Sequence, residues 1–500
     1  MRVHSRRSTG ACFVCALVAM AATVTTSALG RSNDAALPQF ELVAPDGTAG
    51  DSFALSAALS GETALIGAPE RQVGKNASQG AAYVFTRSDD AWKQQSGDVI
   101  AGDGAAGDDF GLAVALSDDT EVVGAPGHRV ANNPYQGAAY VFVRTGTAWQ
   151  AQGSTLAATD GAASDGFGTS VAISGDTLVV GAPSHDVGEN HDQGAAYVFV
   201  RSGATWTQQG PPLFAPDGKT GEAFGTYVGE SADSIIVGAP IHQVGAHEYQ
   251  GAAYVFVRSG DTWTQEGPDL IAPDGGSFDQ LGPCAISGDT VLVGAPFHVV
   301  GTHAQQGAAY RFTRGVHAWT FDGPAWVAPN GAAGDLFGSA VALSDSTALV
   351  AAPERKSSGA SYLGSVYAFA HTGSVWSASP GALAATGGAT DEIFGSSVAV
   401  SGATALVGAA LHEVGTIPRQ GAAYVFTLPE ACAANDSCDA AARAAGGCSC
   451  AAVGRRPNGL PRSVSLPALG AALSLLGRRR AFNRSEVPRA DVARSPRALP

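Results

Sequence analysis

A Gly-Ala-Pro triplet starts at Gly67, Gly124, Gly181, Gly238 and Gly294. It persists in worn form at Ala351 and Gly408, with steps of 57, 57, 57, 56, 57 and 57 residues. Nothing else in the chain restricts its fold as much. The Tyr of a Tyr-x-Phe triplet keeps the same steps at Tyr83, Tyr140, Tyr197, Tyr254, Tyr310, Tyr367 and Tyr424. A Phe-Gly pair recurs at Phe110, Phe167, Phe224, Phe337 and Phe394, with Phe53-Ala54 and Leu281-Gly282 as worn copies. A Trp follows each of the first six tyrosines by nine residues, from Trp92 to Trp376. Seven copies of a unit this long mean a propeller or a solenoid, because one unit cannot bury its own apolar face and must pack on its neighbours.

The unit reads as four strands. In the third copy they are predicted at 167–174, 177–182, 194–201 and 205–215, rich in Val, Ile, Tyr, Phe and Thr. Ser-Gly-Asp, Gly-Ala-Pro, Ser-Gly and Pro-Asp-Gly turn signals separate them. No window shows sustained helical periodicity, and no connection is long enough for a crossover helix. The expected fold is therefore all-β: a seven-bladed β-propeller with four antiparallel strands per blade. The seventh copy stops after Tyr424-Val425-Phe426 without its Trp strand, yet residues 39–47 match the end of a fourth strand at 269–275. The N-terminal strand is expected to close the last blade, which hides two sheet edges.

Both ends differ from this body. Arg2, Arg6 and Arg7 precede an apolar run and then small residues, the order of a secretory signal over 1–30. The propeller is assigned to 31–429. A Cys/Ala-rich linker spans 430–462, a short apolar segment with an Arg cluster 463–480, and a disordered basic tail 481–500. Cys432 and Cys438 can form a small disulfide in an exported chain, and Cys448 and Cys450 form a separate Cys-x-Cys motif. Cys284 stands alone where other copies carry an apolar strand residue, and is expected to be a buried small thiol.

The stretch Phe-Gly-x-Ser-Val-Ala-Ile-Ser-Gly-Asp-Thr-x-x-Val-Gly-Ala-Pro at 167–183 resembles the FG-GAP repeat of integrin α-subunit propellers, most closely its bacterial secreted form. That resemblance spans about 37–428 and implies an extracellular recognition or adhesion platform. Integrin repeats often carry a calcium loop after Gly-Ala-Pro. Here that loop, 184–192 in its most acidic copy, lacks the required carboxylate spacing, so no calcium site is carried over. Gly446-Gly447-Cys448-Ser449-Cys450, followed by an apolar segment and Arg478-Arg479-Arg480, resembles the myxobacterial C-terminal sorting signal. It implies retention at the outer cell surface, with membrane contact only through that segment.

Charge narrows the partners. The chain carries a formal −15, and within 31–430 there are 15 Lys/Arg against 40 Asp/Glu. A body so acidic repels phosphate backbones, which excludes nucleic acid as a ligand. Two repeated features can carry chemistry. The first is the junction Asp-Gly-x-x-x-Asp: Asp46/Asp51, Asp103/Asp108, Asp160/Asp165, Asp217/Glu222 and Asp274/Asp279. Paired carboxylates can share calcium, or serve only as turn residues. The second is a residue two past Gly-Ala-Pro: His128, His185, His242, His298 and His412, with Arg71 and Arg355 in the other copies. Ring symmetry places these on one face, as ligand contacts or as loop residues bonded to their own turns. No hydrolase, metalloprotease, Walker or dinucleotide motif occurs in a suitable context, so the chain is expected to be no enzyme. The expected partner is an extracellular protein or glycan bound through loops on one face. The alternatives are a structural surface component and, less favoured, an extracellular hydrolase or lyase.

Overall fold

The computed structural model describes residues 39–429 apart from 90, 96, 317, 357–361, 374 and 386–391. Every element among the described residues is a β-strand, and the strands form seven four-stranded antiparallel sheets. Blade 3 shows the local rules. Its strands are Ser170–Ser174, Thr177–Ala182, Ala195–Ser202 and Thr205–Gln208, from the axis outward. Two expected boundaries move by more than one residue. The first strand starts at Ser170 rather than 167, because Gly168 turns the chain at φ +94°. The fourth ends at Gln208, before Gly210 at φ +72° and two prolines with no N–H to give the ladder. The chain touches the sheet again through one bridge between Leu213 and Ala196.

The last sheet runs Gln39–Leu42, Ala422–Thr427, Thr404–Ala409 and Phe394–Ser401 from rim to axis. The N-terminal strand pairs antiparallel with Ala422–Thr427 in the register Gln39↔Phe426 to Leu42↔Ala423. The expected closure is present. Each inner strand packs on the next, and Phe394–Ser401 packs on Ser56–Ser60 to complete the ring.

Neighbouring blades meet backbone to backbone. A Cβ built on Gly181 of blade 3 would lie 2.0 Å from the carbonyl oxygen of Gly225, the glycine of the next Phe-Gly pair. Gly67 faces Gly111, Gly124 faces Gly168 and Gly294 faces Gly338 just as closely. The two worn copies are complementary: Ala351 faces Gly395, and Ala54 faces Gly408. The Phe of each pair bonds the preceding blade, as in the Phe167 N–H donating to Gln136 O at 2.8 Å. Its ring is fully buried edge-on to Tyr197 at 5.5 Å and Phe199 at 6.0 Å. Burying one such ring stabilises by about 1.5–3 kcal/mol, and the geometry adds to that.

A second latch runs along the rim. Trp206 Nε1 donates to Gln152 Oε1 of the preceding blade at 3.0 Å. Arg201 lies over the Trp206 ring and donates to Thr120 of that same preceding blade at 2.9 Å. Trp263 with Arg258 repeats the arrangement.

Blade 5 departs from its siblings. The missing residue falls between Gly282 and Cys284, where Pro283 precedes a four-residue first strand, Cys284–Ser287. Cys284 is buried in the core, as expected, and burial pushes its thiol up.

The blade contact gives a stability prediction. Gly181→Ala is expected to cost about 3 kcal/mol, because the new methyl meets backbone that cannot move aside. Gly188→Ala, at φ +63° but with open space around it, is expected to cost about 1 kcal/mol. Urea denaturation of both variants checks the difference; equal costs would contradict close backbone packing.

Candidate functional site

The loops joining second to third strands, and those joining one blade to the next, open on the same face. Residues that look like two separate features in sequence are therefore brought together. In blade 3, His185 Nδ1 lies 2.8 Å from Asp165 Oδ2, and its Nε2 lies 3.9 Å from Asp160 Oδ2. Tyr197 donates its hydroxyl to Asp160 Oδ1 at 2.9 Å. Blade 2 builds the same cluster from His128, Asp108, Asp103 and Tyr140. Blade 4 uses His242, Glu222, Asp217 and Tyr254, and blade 5 uses His298, Asp279, Asp274 and Tyr310.

The remaining blades vary the theme. Arg71 of blade 1 pairs with Asp46, Asp51 and Asp98, and Tyr83 donates to Asp46. Arg355 of blade 6 meets Tyr367 and Asp335. His412 of blade 7 lies 2.8 Å from Glu392 and 3.2 Å from Glu41, a residue of the closing N-terminal strand. Sequence pattern alone did not reveal Glu41, Glu392 and the tyrosines as members of these clusters.

In the clusters of blades 1 to 5 the two carboxylates have different duties. The second is buried and accepts a loop N–H three residues before it, as Asp165 does from Ala162 at 2.8 Å and Asp51 from Thr48 at 2.7 Å. The first is about half exposed: 49% for the Asp160 side chain and 57% for Asp217. In the four complete His clusters, the carboxylates of a pair face opposite nitrogens of one imidazole. This fits turn and ion-pair chemistry. The face therefore shows solvent a ring of carboxylates, with the imidazoles beneath them. Cys432, Cys438, Cys448 and Cys450, with the signal, linker, apolar and tail assignments, lie outside the described residues.

Hydrogen bonds to Asp108, Asp165, Asp279 and Glu392 raise the pKa of His128, His185, His298 and His412 above the ordinary 6.5, against the opposing effect of burial. Elsewhere, Glu121 stands where blade 3 has Leu178, opposite Leu116 and Phe142. Both its carboxylate oxygens are buried without a hydrogen-bond partner, and burial pushes its carboxyl up to about 8.

An imidazole raised on folding adds stability that is present below its unfolded pKa and lost as pH rises through its folded one. A carboxyl raised by burial acts in the same direction, losing stability from about pH 4.5 up to its folded value. The melting temperature is therefore expected to fall steadily as pH rises from about 5.5 to 8.5. Glu121→Leu is expected to raise it more at the alkaline end. Differential scanning calorimetry across that range checks both; a flat profile would contradict the assignment.

Among the described residues, the junction of blades 4 and 5 breaks the symmetry with an aromatic residue. Phe278 occupies the position held by Gly50, Gly107, Gly221 and Gly334 in other copies, and keeps their left-handed backbone at φ +70°. A bulky residue there is strained by about 1–2 kcal/mol. Its ring is 55% exposed and lies against Tyr249, 42% exposed, with centroids 5.3 Å apart. Backbone bonds from Phe278 N–H to Glu248 O and from Gln280 N–H to Tyr249 O lock the two loops together. Tyr135, at the Tyr249 position of blade 2, is also exposed. Phe278 was missed in sequence; its signal is an aromatic standing where sister copies place glycine.

The opposite face holds a depression of about 730 Å³ between the first hairpins of blades 6, 7, 1 and 2. Glu62, Asp118, Asp119 and Asp345 line it with Arg87 and Arg144.

Seven radially arranged sheets with a repeated ion cluster on one face define a β-propeller built from near-identical modules. The FG-GAP repeat model matches residues 39–85, 92–142, 150–199, 206–256, 326–369 and 381–426. The chain belongs to the FG-GAP repeat family. The unmatched copy is blade 5, where the Phe-Gly pair reads Leu281-Gly282 and one residue is missing. No curated protein matches the chain.

Proposed function

We propose that this chain is an exported, non-enzymatic recognition propeller, retained at the outer cell surface by its C-terminal segment. It binds an extracellular protein or carbohydrate through the face that carries the histidine clusters. The exposed Tyr249–Phe278 pair carries this reading. The left-handed backbone at Phe278 costs the fold strain, whereas a sugar ring or an apolar side chain gains a flat surface to stack on. The carboxylates around it supply hydrogen-bond acceptors, and their charge favours neutral or cationic ligands. The FG-GAP repeat fits such a role, and the acidic body disfavours nucleic acid. A purely structural surface role is the second reading, favoured by the near-identity of the other loops.

The test is an array of glycans and surface proteins probed with the purified chain and with Phe278→Gly. The variant restores the glycine of the sister copies, so it is expected to melt at or above the wild-type temperature. It is also expected to lose at least tenfold in affinity for whatever the wild type captures. Capture unaffected by the substitution would reject this surface. No capture at high micromolar concentration would favour the structural role.

A further inference from the structure

Blade 1 and blade 4 solve the same electrostatic problem with different means. Each carries three acids at equivalent positions: Asp46, Asp51 and Asp98 in blade 1, and Asp217, Glu222 and Asp269 in blade 4. In blade 1 the guanidinium of Arg71 sits among all three, with Nε 3.5 Å from Asp98 and NH1 3.7 Å from Asp51. Blade 4 has His242 in that place. Blades 2, 3 and 5 keep the histidine but carry Thr155, Pro212 and Ala325 where blade 4 has Asp269. The third acid thus coincides with an imidazole in blade 4 and not in those three.

We propose that His242 Nε2, Asp217 and Asp269 bind one divalent transition-metal ion, of the zinc class, on this face of blade 4. The ligand atoms lie within 4.8 Å of one another. Ligand atoms about 2.1 Å from a tetrahedral ion stand about 3.4 Å apart, so side-chain movements of about an ångström complete the site. The imidazole is already oriented. Glu222 accepts from Nδ1 at 2.9 Å, which turns the Nε2 lone pair toward the two aspartates, the carboxylate–histidine arrangement that supports bound metals. His242 is only 3% exposed, and its Nε2 has Tyr254 OH at 3.4 Å and Asp217 Oδ2 at 3.6 Å as neighbours. The Tyr254 hydroxyl donates to Asp217 Oδ1 at 3.0 Å, fixing that carboxylate as well. One nitrogen and two oxygens suit zinc, cobalt or nickel better than calcium. With the Asp217 side chain 57% exposed, coordination positions stay open to water.

The site lies on the same face but does not rest on the recognition reading, and its test reads metal alone. The full chain is titrated with zinc by calorimetry, and with cobalt by its visible spectrum, which separates nitrogen–oxygen coordination from thiolate coordination by the C-terminal cysteines. Wild type is expected to take up one equivalent more than Asp269→Thr, and zinc is expected to raise its melting temperature but not the variant's. Asp274→Asn in blade 5 is expected to bind like wild type. His242→Arg rebuilds the blade 1 arrangement, so it is expected to melt higher than wild type in chelator and to ignore zinc. Equal stoichiometry and equal thermal shift in wild type and Asp269→Thr would overturn the proposal.

Discussion

The whole ring rests on backbone meeting backbone between neighbouring blades. Where the glycine of one Gly-Ala-Pro faces the glycine of the next Phe-Gly, no room for a methyl exists, as at Gly181 against Gly225. That approach lets the inner strands converge near the axis, while the Phe ring and the rim Trp fill the widening wedge outside them. It also explains how the motif degrades. Ala351 is tolerated opposite Gly395, and Ala54 opposite Gly408, so in each worn junction one partner remains glycine.

The same repetition sets the chemistry of the loop face. In blades 1 to 5 the preceding loop places one buried and one exposed carboxylate around the blade's imidazole or guanidinium, with a tyrosine holding the exposed acid. These clusters tie loops to strands, so they belong to stability as much as to surface. Individuality enters where a copy breaks the pattern, at Phe278 with its strained backbone and at Asp269 with its extra charge. Both features lie on blade 4 and its junction with blade 5, which concentrates the face's distinctive chemistry in one sector.

Blade number, strand order and the N-terminal closure were legible in sequence, because a 57-residue period repeats turn signals and apolar strands together. The strand ends at Ser170 and Gln208 were not, because a positive-φ glycine and a proline pair override the local β pattern. The histidines and aspartates were each visible as repeats. Their union was hidden, since His185 and Asp165 lie 20 residues apart and meet only once the blade is folded. Phe278 and Asp269 were hidden for a different reason: a repeat-based reading attends to what copies share, and both residues stand out by what they replace.

Closure of the ring by residues 39–42 is the claim on which the face, its clusters and both proposals depend. Phe40 and Val425 are direct cross-strand partners, and cysteines at such a distance can form a disulfide. The doubly substituted protein, Phe40→Cys with Val425→Cys, is predicted to form that bond on air oxidation, with peptide mapping linking positions 40 and 425. Its midpoint of denaturation should rise above that of the reduced form. A folded protein in which these two positions never join would contradict the account.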